Sequence, residues 1–332
     1  MPGNGMAATA STETLVDPFA AVRPGLVKVD EALRAAMAGS GAAVEELGTY
    51  LLTGGKRLRP ALVLLSGEMA GAAAGDLLPV ATACEIIHMA TLVHDDLIDA
   101  SDRRRGKATV HAKWGLAESV LMGDHLFARG FSLLAGTGDP RVVQVMSDVV
   151  AHTCAGEIDE VAAQWDLDVT LDGYRARVHG KTGFFIAECC RLGAIVGNAP
   201  ADWLEALSQY GAAVGDCFQI VDDLLDLTAS PEVLGKPTGS DLRAGVYTLP
   251  VVWTLAGKRG DELRSLLERR PVDDKVVADV LRLLESTGAL AYAAREATKL
   301  VQDAQAALSA LPPSPQLDTL AALAQALVHR VR

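Results

Sequence analysis

Apolar residues recur along this chain at helical spacing, and β-branched alternation is scarce. The segment 77–99, LLPVATACEIIHMATLVHDDLID, is apolar on nearly every side, which predicts a helix buried in a core. Segments 277–290 and 295–310 keep a polar face and predict outer helices. Pro60 suits the first turn of a helix continuing over 62–69. Turn residues gather at 71–75, 136–140, 197–200, 230–239 and 312–315. No stretch reads as an interdomain linker, and no internal repeat stands out. The pattern predicts an all-α, single-domain helical bundle over residues 21–332, preceded by a flexible leader over 1–20. No uninterrupted apolar run approaches the roughly 18 residues a membrane span needs. The opening MPGNGMAATASTET lacks the basic and apolar regions of a signal peptide.

Composition narrows the possibilities. Hydrophobic residues make up 50% of the 332, which is too apolar for a disordered chain. Lys and Arg number 30 against 42 Asp and Glu, a net charge of −12, the wrong sign for a nucleic-acid partner. The cysteines, Cys84, Cys154, Cys189, Cys190 and Cys217, are odd in number and match neither a disulfide framework nor a zinc pattern. A reducing, cytoplasmic compartment is the simplest reading.

Two acidic clusters carry the first chemical signal. Asp95-Asp96-Leu97-Ile98-Asp99 and Asp222-Asp223-Leu224-Leu225-Asp226 share one pattern. Helical geometry puts the first and last aspartate of each on one face, a turn apart. One such triplet reads as readily as a solvated helix end. Two copies in apolar helical sequence need a cation, because unpaired buried carboxylates are costly. Carboxylates facing each other across a bundle make a hard-oxygen site, and Mg²⁺ fits it best because it shares its ligands between a few carboxylates, water and substrate phosphates. The aspartates then anchor a diphosphate.

The basic residues are equally concentrated. GGKRLRP at 54–60 sets three cations before an apolar helix, and SDRRRGK at 101–107 follows the first acidic triplet. Arg forks and Lys point charges bind phosphate oxygens. Their alternation with the aspartates suggests two diphosphate sites, one held through metal and one directly. Lys181-Thr182-Gly183 reads as a further phosphate grip at a helix start, and 235–239 as a mobile lid carrying Lys236. His88, taken alone, reads as a core histidine.

At these residues the sequence resembles the trans-isoprenyl diphosphate synthases of the polyprenyl synthetase family. The resemblance runs in order through GGKRLRP (54–60), His88, DDLID (95–99), SDRRRGKATVH (101–111), GDHLFAR (123–129), KTG (181–183), FQIVDDLLD (218–226), GKPTGSDL (235–242) and TLP (248–250). HMATLVHDDLID and GDHLFAR are most similar to heptaprenyl- and octaprenyl-type enzymes. The resemblance implies the isoprenoid synthase fold around a deep central apolar cavity, usually as a homodimer. It implies Mg²⁺, three ions with substrate bound, held by Asp95, Asp99 and Asp222 with Asp96, Asp223 and Asp226 in support. Lys56, Arg59, His88 and Arg105 are then expected to bind isopentenyl diphosphate. Arg104, Lys181, Thr182, Gln219 and Lys236 are expected to grip the allylic diphosphate. The reaction is attack of the isopentenyl double bond on the allylic carbon as diphosphate leaves, with no covalent nucleophile.

Two departures stand out. Where the family often has Lys before TLP, this chain has Val246, and where its GExxQ pattern has Gln, this chain has Glu160. One turn below Asp95 lie Ala90 and Thr91, both small, with Ile87 and Cys84 deeper, and Phe127 is expected to stop the growing chain further down. This favours a product of about C30–C40, with a farnesyl or geranylgeranyl diphosphate synthase as the alternative. A class I terpene cyclase fits less well, because the second motif is again DDxxD. A non-catalytic subunit is disfavoured by the intact motifs. A catalytic subunit needing a small partner stays open, as does peripheral membrane contact for product release.

Overall fold

The computed structural model describes residues 19–104, 106–230 and 237–328. The expected leader falls outside them except for Phe19 and Ala20, the latter opening a 3-10 turn, Ala20–Val22. The first helices are α1 (Arg23–Met37), α2 (Ala42–Leu51), α3 (Leu58–Met69) and α4 (Ala74–Ile98). A hairpin with two residues per strand, Arg103–Arg104 against Lys107–Ala108, supplies the only strands among the described residues. After it come α5 (Val110–Trp114), α6 (Leu116–Gly136), α7 (Pro140–Ala162) and α8 (Leu171–Val178). A π-helical turn, His179–Gly183, then leads into α9 (Phe184–Val196), and α10 (Ala201–Thr228) is the longest helix. Six further described helices fill 240–328, among them Ser240–Ala244, Asp274–Thr287 and Ala289–Leu308.

Local sequence accounts for many of the ends. Asp139 accepts a hydrogen bond from Arg141 N at 2.9 Å and Pro140 opens α7, so a cap and a proline start that helix together. Thr170 caps α8 in the same way through Gly173 N, at 3.0 Å.

The core is a ring of packed helices. α4 packs most heavily on α6, α3 joins α4 to α9, and α10 sits between α9 and Ala289–Leu308. Close approach is set by glycine: a Cβ on Gly193 of α9 would lie 2.3 Å from Val63 O of α3. The fold is all-α, as expected. α4 is long and apolar enough to cross a bilayer by length and composition, but 67% of its most apolar stretch is buried in the bundle. Glu85 and His88 break the run in sequence without making the helix polar on average, and the helix serves as a core element.

Candidate active site

Both acidic motifs fall at helix C-termini. Asp95 and Asp96 occupy the last turn of α4 and Asp99 caps it, while Asp222, Asp223 and Asp226 lie in the last two turns of α10. A helix C-terminus is the negative end of the backbone dipole, and neither last turn contains a basic residue. The carboxylates are therefore repelled by their helices as well as by one another.

The six aspartates divide by what holds them. Asp96 is buried and accepts a hydrogen bond from Arg104 Nε at 2.6 Å. Asp223 accepts from Tyr174 Oη at 2.6 Å and from Gln219 Nε2 at 2.9 Å. Burial pushes the Asp223 carboxyl up to about 6, against the pull of those two bonds. Asp226 accepts from Asp241 N at 3.2 Å. Asp95 and Asp222 are half-buried and Asp99 is exposed. Burial, followed by the charge of Glu157, pushes Asp95 up to about 7, with Lys181 and Arg104 pulling the other way. Such a carboxylate gains from an added cation.

A cavity of about 600 Å³ brings the motifs together, with Asp99, Lys181, Gln219 and Asp223 in its wall. Lys181 enters from the π-helical turn. Burial alone would lower its pKa, yet Glu160 and Glu157 hold the ammonium well above its ordinary value. Thr182 Oγ1 donates to Gln219 Oε1 at 3.0 Å, which turns the Gln219 amide toward Asp223. The lining is largely polar, with Ile98, Val178, Ala244 and Val246 as its apolar members. Among the described residues no three carboxylate, imidazole or thiol groups converge into a metal cage. An ion here needs further oxygens from diphosphate and water, which is how Mg²⁺ is ordinarily held.

The GGKRLRP cations separate into two kinds. Arg57 is structural: its Nε donates to Asp30 at 2.8 Å, one terminal nitrogen to Glu85 at 2.9 Å and the other to Leu52 O at 3.0 Å. Arg59 lies with its guanidinium 4.7 Å above the Phe185 ring, and its buried Nε has no hydrogen-bond partner. His88 meets the same ring edge-on at 6.4 Å, so Phe185 joins two of the expected isopentenyl-site residues. Lys56 is exposed. Arg105 and Lys236 lie outside the described residues, as does the 235–236 part of the expected 235–239 lid, while Thr238 Oγ1 donates to Ala229 O at 3.0 Å.

The chain-length residues are not in the cavity wall described above. Ala90 and Ile87 are fully buried, and Thr91 Oγ1 donates to His88 O at 2.9 Å. A Cβ on Gly123 would meet His94 Nε2 at 2.0 Å, and one on Gly130 would meet Ile87 Cγ1 at 2.6 Å. α6 therefore runs antiparallel to α4 in a fixed register, and Phe127 stands level with Ala90 and Thr91. Its ring centroid lies 5.8 Å from that of His94. The expectation that Phe127 lies further down is corrected by this register.

Sequence reasoning misses Glu157, Tyr174 and Arg177 as site residues, and notes Glu160 only as a departure. Tyr174 and Arg177 precede Lys181 at helical spacing, and that is the signal that could have found them.

The sequence profile of the family described as Polyprenyl synthetase matches residues 42–284. The chain belongs to this family. Heptaprenyl diphosphate synthase component 2 of Geobacillus stearothermophilus is 42% identical to this polyprenyl synthetase over 235 residues, 70% of this chain and 73% of that one. A short chain isoprenyl diphosphate synthase of Methanothermobacter thermautotrophicus is 37% identical over 289 residues, 85% of this chain and 88% of that one. A solved polyprenyl synthase from Caulobacter crescentus CB15, complexed with calcium and isoprenyl diphosphate, has a TM-score of 0.89 at 32% identity over 94% of this chain and 96% of that one. This polyprenyl synthetase is an enzyme, a prenyltransferase of the trans-polyprenyl diphosphate synthase type.

Proposed function

We propose that this polyprenyl synthetase condenses isopentenyl diphosphate with an allylic diphosphate, giving an all-trans polyprenyl diphosphate of medium to long chain. The observation that carries the reading is the meeting of both aspartate motifs, Lys181 and Gln219 around one cavity. Asp95, Asp99 and Asp222 are the proposed ligands of Mg²⁺, three ions with substrate present. When bound, the metal supplies Lewis-acid neutralisation of the departing diphosphate.

The chain's own residues do the rest. Lys181, Thr182, Gln219 and Arg104 hold the allylic diphosphate, with Arg105 on the isopentenyl side and Lys236 on the allylic side as further proposed contacts. Lys56, Arg59 and His88 hold isopentenyl diphosphate, so that its double bond faces the allylic C1. Carbon–carbon bond formation proceeds as the C1–O bond breaks, and the proton then lost goes to the released diphosphate. Hydrogen bonds to the buried Asp96, Asp223 and Asp226 keep both acidic motifs, and with them the proposed metal-holding carboxylates, in place. The site works by orientation and charge, aided by exclusion of water.

A medium-to-long product rests on the small size of Ala90 and Thr91, with the short-chain synthases as the alternative. A cytoplasmic setting is favoured by five free thiols. A homodimer is favoured by exposed apolar side chains on α6 and α7, and a small-subunit heteromer is the competing assembly.

The test is the purified chain alone with Mg²⁺, isopentenyl diphosphate and farnesyl or geranyl diphosphate, with mass spectrometry of the dephosphorylated products. Products of about C30–C40 are expected, whereas C15 or C20 would select the short-chain alternative and no product would point to a missing subunit. Asp95→Ala and Asp222→Ala should each lower turnover by about two orders of magnitude or more while the helical circular dichroism is kept. Near wild-type turnover in either variant would remove that aspartate from the proposed metal site.

A further inference from the structure

Lys181 reaches the cavity with its charge already matched. Its Nζ donates a hydrogen bond to Glu160 Oε1 at 2.6 Å and lies 2.8 Å from Glu157 Oε2. Both glutamates stand on α7, three residues apart and therefore on one helix face. Glu160 also faces Arg177, with Nε 3.7 Å from Oε2, but the Arg177 guanidinium is committed to Tyr247 O at 2.7 Å. The side chains are only 24% exposed for Lys181 and 17% for Glu160, so bulk water screens the pair poorly.

Glu160, Arg177 and Lys181 line the cavity, and so do Val246 and Thr248, which bring no charge. An ammonium has three donors and no acceptor. A diphosphate oxygen entering the cavity meets a lysine whose strongest contact is a carboxylate of the same wall. A charged acceptor in that position competes with phosphate far better than a neutral one. In this wall Glu160 adds an anion, and Val246 adds no cation to offset it.

We propose that Glu160 is an internal competitor for Lys181, a carboxylate that weakens binding of the allylic diphosphate and holds Lys181 against α7 until diphosphate displaces it. The inference rests on the reading of Lys181 as a grip for the allylic diphosphate. Displacement moves a hydrogen bond from Glu160 Oε1 to a phosphate oxygen, and no covalent bond changes.

Glu160→Gln keeps the size and an acceptor for Lys181 while removing the charge. Steady-state kinetics with each diphosphate varied in turn, on this variant and on Lys181→Ala, test the idea. Glu160→Gln is expected to lower KM for the allylic diphosphate by about three- to tenfold, with KM for isopentenyl diphosphate unchanged. Lys181→Ala is expected to raise the allylic KM. If Lys181→Ala raises it while Glu160→Gln leaves it unchanged or raises it too, Glu160 positions Lys181 and the competition is wrong. If Lys181→Ala leaves the allylic KM untouched, Lys181 is not the grip, and both the reading and the inference fall. Glu160→Ala provides a second charge-removing variant, whose allylic KM should fall in the same direction.

Discussion

His179 illustrates how single residues hold the turn that presents Lys181. Its Nδ1 lies 3.3 Å from Asp216 Oδ1, which ties the π-helical turn to α10 three residues before the Thr182–Gln219 bond, on the same face of α10. The bond to Asp216 raises the His179 pKa above its ordinary 6.5, against the opposing effect of burial. A raised histidine contributes stability that is fully present below 6.5 and is lost as pH rises through the raised value. The side chain is 44% exposed, so the contribution is small. Asp216→Asn should bring the NMR titration midpoint of His179 back toward 6.5. A midpoint unmoved by that change would show that Asp216 does not set it. At this scale the acidic motifs are legible in the sequence because local spacing alone puts their carboxylates on one helix face. The division between Arg57 and Arg59 is not. Asp30 and Glu85 capture Arg57 from 27 and 28 residues away, and no local pattern announces such a partner.

Among the elements, helix identity is legible and depth is not. The apolar run at 77–99 becomes α4, and the polar-faced segments become Asp274–Thr287 and Ala289–Leu308. The KTG segment, read as a helix start, instead forms a π-helical turn that joins α8 to α9 without a break. Depth depends on how two helices slide past each other, and here Gly123 and Gly130 fix that register against His94 and Ile87. Phe127 consequently stands beside Ala90, and the passage between α4 and α6 is controlled at one level by a small residue and a large one. Ala90→Phe should shorten the main product while sparing the first condensation, and Phe127→Ala should lengthen it. Mass spectrometry of the dephosphorylated products reads both. An unchanged distribution in both variants would mean that the growing chain does not pass between α4 and α6.

For the whole molecule, the informative surface is an apolar one that a helical bundle in water should not leave bare. Leu116, Val120 and Leu121 on α6 are exposed, as are Ile158 and Val161 on α7, with Leu121 at 67% and Ile158 at 68%. The two helices are joined by only the residues between Gly136 and Pro140, so the start of α6 lies level with the end of α7. These side chains therefore gather at one end of the hairpin, in the same last turns of α7 that carry Glu157 and Glu160. Burying each would contribute about 1.5–3 kcal/mol if it were fully covered, enough in sum to favour association. In the proposed homodimer a second copy related by a two-fold axis would cover the face with itself, and any charge placed there would meet its own image. Leu121→Asp should consequently convert a species of twice 34.8 kDa into one of 34.8 kDa in light scattering after gel filtration. A dimer that survives the change would place its interface elsewhere. A wild-type monomer would instead assign the α6–α7 face to a different partner, which a catalytic chain requiring a small subunit would supply.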